Sequence, residues 1–284
     1  MKNLMKEVMI AMVLTLIGLS AQAEIISTKT MKGVQAKIED ILKTQNAANV
    51  LVVFDIDMTL TQPDHPAVYY PAIKKYVDIY KKILGQLTPE QKDIAVTLTT
   101  QIVPQKWVEA ETPQVIKNIQ QRNMKVIALT SSLAGQLKGY KDKIIILRKD
   151  QLQKMGLDLS KNFKDFQDIM TFSDFKEYVR AHPMFYQGVL SANGEQNASK
   201  GEVLNAFLDL IGSESSYEPK VIIMIDDKKK HLIDVEAHLK SHDPSIQFIG
   251  IEYQGAYEIA PRDISKEGFQ KFWEDLANQA KQEN

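Results

Sequence analysis

Two stretches of unbroken apolar sequence constrain this chain more than any other feature: Val-Leu-Val-Val-Phe at Val50–Phe54 and Val-Ile-Ile-Met-Ile at 221–225. A strand with one wet face alternates apolar and polar residues, whereas a strand covered on both faces does not. Short apolar runs at 126–129, 144–147 and 246–251 have the same character and read as buried strands. Helical patterns lie between most of them. Thr112-Pro113 opens one that runs through Gln121, with proline in its first turn. Ser199 opens another, running from Lys200 toward Leu210 and closed by Gly212. This strand–helix–strand repetition predicts an α/β fold built on a doubly wound parallel sheet.

The first 23 residues stand apart from that fold. Lys2 and Lys6 precede an apolar run at 8–19, and Ala21-Gln22-Ala23 follows it. A basic start, a short apolar stretch and small residues at −3 and −1 read as a signal peptide cleaved after Ala23. The run is shorter than the ~20 residues that a membrane span needs. The expectation is therefore an exported chain, periplasmic or secreted, with no membrane attachment after cleavage. The sequence contains no cysteine, which excludes a lipid anchor on cysteine and a disulfide scaffold. Lys and Arg number 35 against 36 Asp and Glu, a balance that argues against nucleic acid as a partner.

Residues 24–284 then make one α/β domain in which two blocks interrupt the alternation. Residues 64–110 are mostly helical, with Tyr69, Tyr70, Tyr76 and Tyr80 on one candidate helix and Pro89–Ile102 as a second. Their position just after the first apolar strand predicts a small helical cap over the strand ends. Residues 148–185 form a polar and aromatic second insertion, leading into a strand or hairpin at 185–190. The polar tail after about Gln279 is expected to fray.

Chemistry concentrates where the strands end. The first strand runs into Asp55, with Asp57 two residues on, and the 221–225 run ends in Asp226-Asp227. Ligands of open parallel sheets bind at the carboxyl ends of the strands. Carboxylates crowded there repel unless a cation or a shared proton compensates, and Mg²⁺ prefers such hard oxygen ligands. The strand at 126–129 ends in Thr130-Ser131-Ser132, hydroxyls and amides suited to a phosphate, and Lys200 stands in the first turn of a helix where its charge is disfavoured. His238 and His242, four apart, have no third ligand and read as surface residues. Lys228-Lys229-Lys230 reads as a solvated loop able to steer anions.

Asp55-Ile56-Asp57-Met58-Thr59, then Thr130, Lys200 and Asp226-Asp227, resemble in kind and order the four motifs of the haloacid dehalogenase superfamily of phosphohydrolases. The resemblance runs from Val50 to Ile251. The stretches 112–132 and 221–227 are similar to a poorly characterised branch of exported bacterial proteins. It implies a phosphatase with a Rossmann-like core that hydrolyses a small phosphomonoester. Asp55 would be the nucleophile and form an aspartyl-phosphate, while Asp57 would serve as acid and then base. Thr130, Ser131 and Lys200 would hold phosphoryl oxygens. Mg²⁺ would be bound by Asp55, the Asp57 carbonyl and Asp226, with Asp227 supporting the metal or Lys200. Met58 departs from the small or polar residue common at its position. A non-catalytic binding protein on the same scaffold is the alternative. A phospho-acceptor receiver is excluded, because its acidic pair would precede the acceptor. Oligomeric state is not legible.

Overall fold

The computed structural model describes residues 24–215, 217–260 and 262–283. The expected signal peptide, 1–23, lies outside the described residues. The strands are β1 (Glu24–Thr28), β2 (Val50–Phe54), β3 (Thr61–Pro63), β4 (Gln105–Trp107), β5 (Lys125–Thr130), β6 (Met170–Thr171), β7 (Met184–Tyr186), β8 (Val189–Ser191), β9 (Val221–Asp226) and β10 (Gln247–Tyr253). The helices are α1 (Met31–Ile41), α2 (Tyr70–Lys75), α3 (Val77–Leu84), α4 (Pro89–Ile102), α5 (Thr112–Gln121), α6 (Ile144–Lys154), α7 (Lys200–Glu214), α8 (Lys229–His242) and α9 (Lys266–Gln282).

Eight strands form the central sheet in the order β1-β10-β9-β2-β5-β8-β7-β6. Pairings from β1 through β8 are parallel, and the hairpin partners β7 and β6 continue the edge antiparallel. Period 2 divides each central strand between two cores. Val50, Val52 and Phe54 pack with Val126, Ala128, Ile223 and Ile225 under α1, α5 and α6. Leu51 and Val53 pack with Ile127, Leu129, Ile222 and Met224 under α7 and α8. Every residue of β2 is buried, which is why its sequence carries no polar face. The chain is thus an α/β protein with a mostly parallel sheet flanked by helices on both sides.

A third core lies beyond the sheet. The short antiparallel pair β3–β4 marks where residues 64–104 leave the sheet layer and return. Between these strands, α3 and α4 contribute Ile83, Ile94 and Leu98 to a cluster shared with Phe269, Trp273 and Leu276 of α9. Thr88 and Gln91 close α4 with a reciprocal capping box, and Pro89 starts it.

Several local expectations need correction. The run at 144–147 opens helix α6 and is not a strand. Its buried positions, Ile144, Ile145, Arg148 and Leu152, have helical spacing. Four apolar residues fit either period, and here no turn signal follows but a run of good helix formers. Gly212 lies inside α7, which continues to Glu214, because its exposed face leaves a glycine tolerable. The tyrosine-rich stretch makes two helices. Pro71 in the first turn of α2 leaves Tyr69 outside, and Tyr76 breaks helical geometry where its hydroxyl donates to the Ile264 carbonyl and its ring packs on Phe269. The tail does not fray after Gln279. Ala280 is buried, and the Glu283 carboxylate accepts from the Lys138 amide and pairs with Arg180. Residues 148–185 complete α6 and add β6 and β7 to the sheet edge, with Phe163 and Phe185 packed on Phe207 and Phe166 packed on both of them. Strand β1 and helix α1, which complete the opposite edge, were not foreseen.

Two glycines of α7 should behave oppositely on replacement by alanine. A Cβ on Gly201 would lie 2.6–2.8 Å from atoms of His238, whereas one on Gly212 meets nothing within 4 Å. Denaturant melts should show Gly201→Ala destabilised by about 1–3 kcal/mol and Gly212→Ala stabilised by about 0.5–1 kcal/mol.

Candidate active site

Parity and register bring the acidic pairs together. Phe54 lies opposite Ile225 in the β2–β9 ladder, so the next residues, Asp55 and Asp226, are neighbours. The Asp55 amide donates to the Ile225 carbonyl at 2.8 Å. Asp55 continues the Leu51–Val53 face and Asp226 the Ile222–Met224 face, both toward α7. Lys200, the first residue of α7, meets them there. Its ammonium lies 2.5 Å from Asp55 Oδ1 and 2.7 Å from Asp226 Oδ2, with the lysine side chain only 1% exposed. Ser199 and Glu202 form a reciprocal capping box that fixes this turn, and the Gly201 amide donates to Asp234 of α8.

Further groups close around this pair. Asp226 Oδ1 accepts from the Lys228 amide at 2.8 Å, and His231 Nδ1 stands 3.1 Å from both Asp226 oxygens. His231, Lys228 and Lys230 also converge on Glu195 in the loop after β8. The Tyr257 hydroxyl donates to Asp227 at 2.6 Å. Burial raises the Asp55 carboxyl to about 7; Lys200 opposes this, while Asp226, Asp227 and Asp57 add to it. Burial pushes Asp226 the same way, but Lys200 and His231 outweigh it and hold that carboxyl down to about 2. Asp227 is raised by burial and by the adjacent Asp226. Burial would lower Lys200, yet Asp226 and Asp55 hold it well above the ordinary lysine value, so it stays charged.

Asp57 belongs to the other half of the site. The chain turns sharply after Asp55, with Met58 at φ +67, a left-handed conformation uncommon for a non-glycine residue. Its amide donates to the Thr61 carbonyl at 2.8 Å, and Asp57 bridges Thr61. The Asp57 carboxylate accepts from Arg148 Nη2 at 2.6 Å and lies 3.1 Å from the hydroxyls of both Thr130 and Ser132. Arg148 is 1% exposed and steadied by Gln151, which in turn donates to the Thr100 carbonyl. Thr130 continues the Val126–Ala128 face, toward α6, so the two halves of the site sit above opposite cores.

Asp55, Asp57, Thr130, Ser131, Ser132, Lys200 and Asp227 line one pocket of about 80 Å³, with Asp93, Val96 and Thr97 of α4 and with Glu195, Lys228 and His231. Asp55, Asp226 and Asp227 bring carboxylate oxygens within 4.8 Å of one another, one group among the described residues able to hold a metal ion. Three buried hard-oxygen donors against one ammonium suit a divalent cation such as Mg²⁺. The Asp57 carboxylate is not part of that trio; it faces Arg148. Arg148, His231, Glu195 and Tyr257 were not singled out from sequence, whereas Ser132 was, within the Thr130–Ser132 turn. Arg148 was missed because its helix read as a strand, and the others carry no local signal. His238 and His242 pair with Asp234 and Asp209 at the α7–α8 surface and do not join the site. Among the described residues no helix is long and apolar enough to cross a membrane.

Fold and site together define an α/β protein with a carboxylate-rich centre, crossed by one buried lysine, at the carboxyl ends of its parallel strands. The chain belongs to the family described as Protein of unknown function (DUF2608), which it matches over residues 27–283. It is similar to an uncharacterized protein of Rickettsia bellii (strain RML369-C), 25% identical over 255 residues that cover 86% of this chain and 82% of the relative. It is likewise similar to the uncharacterized protein RC0398 of Rickettsia conorii (strain ATCC VR-613 / Malish 7), 25% identical over 264 residues covering 91% of this chain and 86% of that protein.

Neutralising one crowded carboxylate should stabilise the metal-free protein. Asp227→Asn keeps an acceptor for Tyr257 and removes a charge that burial and Asp226 disfavour, so its thermal midpoint should rise by about 2–4 °C near neutral pH, as ~1 kcal/mol would give. The sign follows from the raised carboxyl: the penalty develops above the unfolded value of 3.8, so the gain should vanish below it. A midpoint lowered at neutral pH would show that the ionised form is favoured. Replacing the other buried cation, Arg148→Met, leaves Asp57 without its partner and should cost about 2 kcal/mol in denaturant melts, below the fully buried limit because Asp57 is partly exposed.

Proposed function

We propose that the chain is an exported Mg²⁺-dependent phosphatase that hydrolyses a phosphomonoester through an aspartyl-phosphate on Asp55, as the resemblance to the haloacid dehalogenase superfamily implies. The observation that carries this reading is the Lys200 ammonium shared by Asp55 and Asp226, with Asp227 in the same 4.8 Å group. An Asp55 oxygen would attack phosphorus as the bond to the leaving oxygen breaks. Asp57, held by Arg148 and open to the pocket, would give that oxygen a proton and then take one from the water that hydrolyses the acyl phosphate. Lys200, Thr130 and the Ser131–Ser132 turn, which line the pocket, would receive phosphoryl oxygens. Mg²⁺, held by Asp55, Asp226 and Asp227, would supply neutralisation of charge on the phosphoryl group. Residues 64–104 would then act as the cap.

The two aspartates should separate kinetically. Asp55→Asn should lose turnover by at least about 10³-fold, because an amide cannot form the intermediate. Asp57→Asn should release about one leaving group per protein from 4-nitrophenyl phosphate, then turn over slowly with phosphate retained on the chain. Excess chelator should abolish activity of the wild-type protein. Wild-type turnover by a folded Asp55→Asn chain would end the aspartyl-phosphate mechanism, whereas no phosphate release by the wild-type protein with Mg²⁺ would leave a non-catalytic binding protein in place of the phosphatase.

A further inference from the structure

Asp57 opens on a second space that the phosphoryl chemistry does not use. A cleft of about 260 Å³ lies between α2, α4 and α9 and the turn Gly255–Glu258. Asp57, Val96, Asp227 and Lys228 line both this cleft and the phosphoryl-sized pocket, so the two are continuous. The rest of its wall is largely apolar and aromatic, including Met58, Tyr70, Tyr257 and Trp273. Tyr70 and Tyr257 meet edge to face at 4.7 Å. Tyr70 is 40% exposed and Val96 46%, and they are two of the four large exposed apolar side chains among the described residues.

The polar atoms of the wall are mostly committed elsewhere. The Thr99 and Thr100 hydroxyls donate to the Val96 and Thr97 carbonyls within their own helix. Trp273 Nε1 donates to the Ala67 carbonyl, and the Tyr257 hydroxyl to Asp227. The Tyr70 and Tyr80 hydroxyls remain as neutral donors, and Lys228 is paired with Glu195. A polyol placed here would leave most of its hydroxyls without partners, whereas a flat apolar group would cover Tyr70, Val96 and Met58. The left-handed Met58 makes the point locally: the turn that aims Asp57 also presents a thioether to the cleft.

We infer that this cleft receives the leaving group of the substrate and selects monoesters whose alcohol carries a single flat, apolar ring, over sugar or glycerol phosphates. The inference rests on the phosphatase reading for its leaving group, while the cleft's preference can be measured without turnover. Asp57 stands at the junction of the two spaces, where the leaving oxygen would take its proton. The leaving alcohol would occupy the cleft and the phosphoryl group the pocket beside Lys200.

The test uses esters of similar intrinsic reactivity together with inert analogues. With Mg²⁺, benzyl phosphate should exceed glycerol 3-phosphate by about 100-fold in kcat/KM, within the range that apolar contacts supply. Benzylphosphonate, which is not hydrolysed, should bind at least about tenfold tighter than methylphosphonate by calorimetry. Tyr70→Ser and Val96→Asn, both at exposed positions, should each erase most of that tenfold preference. Equal affinity for the two phosphonates, or faster turnover of glycerol 3-phosphate, overturns the cleft assignment. No turnover of any ester with the phosphonate preference intact supports the apolar cleft and removes the phosphatase reading alone.

Discussion

One buried cation holds the centre of this protein together. Asp55 and Asp226 end adjacent strands of the sheet and would repel each other in a dry interior without Lys200 between them. Many features serve that placement. The capping box at Ser199 and Glu202 fixes the first turn of α7, and Gly201 lets α7 approach His238 of α8. Register matters as much. A slip of one residue in β2 would turn Asp55 toward the opposite core and leave Lys200 facing an apolar side chain.

The two aspartates of the first motif live in different surroundings although only Ile56 separates them. Asp55 is dry, beside Lys200 and two other acids; Asp57 is partly open and held by Arg148, Thr130 and Ser132. The turn that begins after Asp55 makes this division: Asp55 meets Lys200 above one core, while Asp57 meets Arg148 and Thr130 above the other. Neighbouring carboxylates given such unlike environments are equipped for unlike roles.

Much of the fold was legible because its strands are buried on both faces and so lack any polar alternation. β2, β5, β9 and β10 announce themselves, and α5 and α4 carry proline at their starts. The acids, Thr130 and Lys200 were legible by position, at strand ends or a helix start. What escaped depends on contacts between distant segments. A four-residue apolar run does not tell helix from strand, and that ambiguity hid Arg148. Tyr257 and Glu195 matter only through what they touch. Glu283, in a polar tail, is ordered by Lys138 and Arg180, more than a hundred residues away in sequence.

The position of α9 has a consequence for how the molecule comes into being. Chain synthesis runs from the amino end, so Asp55 is present long before its partners. The acidic centre lacks Asp226 until β9 is made, and the cleft lacks one wall until Trp273 in α9 packs against Tyr80. Until α9 arrives, the nascent chain carries Asp55 and Asp57 without the Trp273 wall of the adjoining cleft. Both the acidic centre and the cleft beside it are therefore completed by segments far downstream of Asp55.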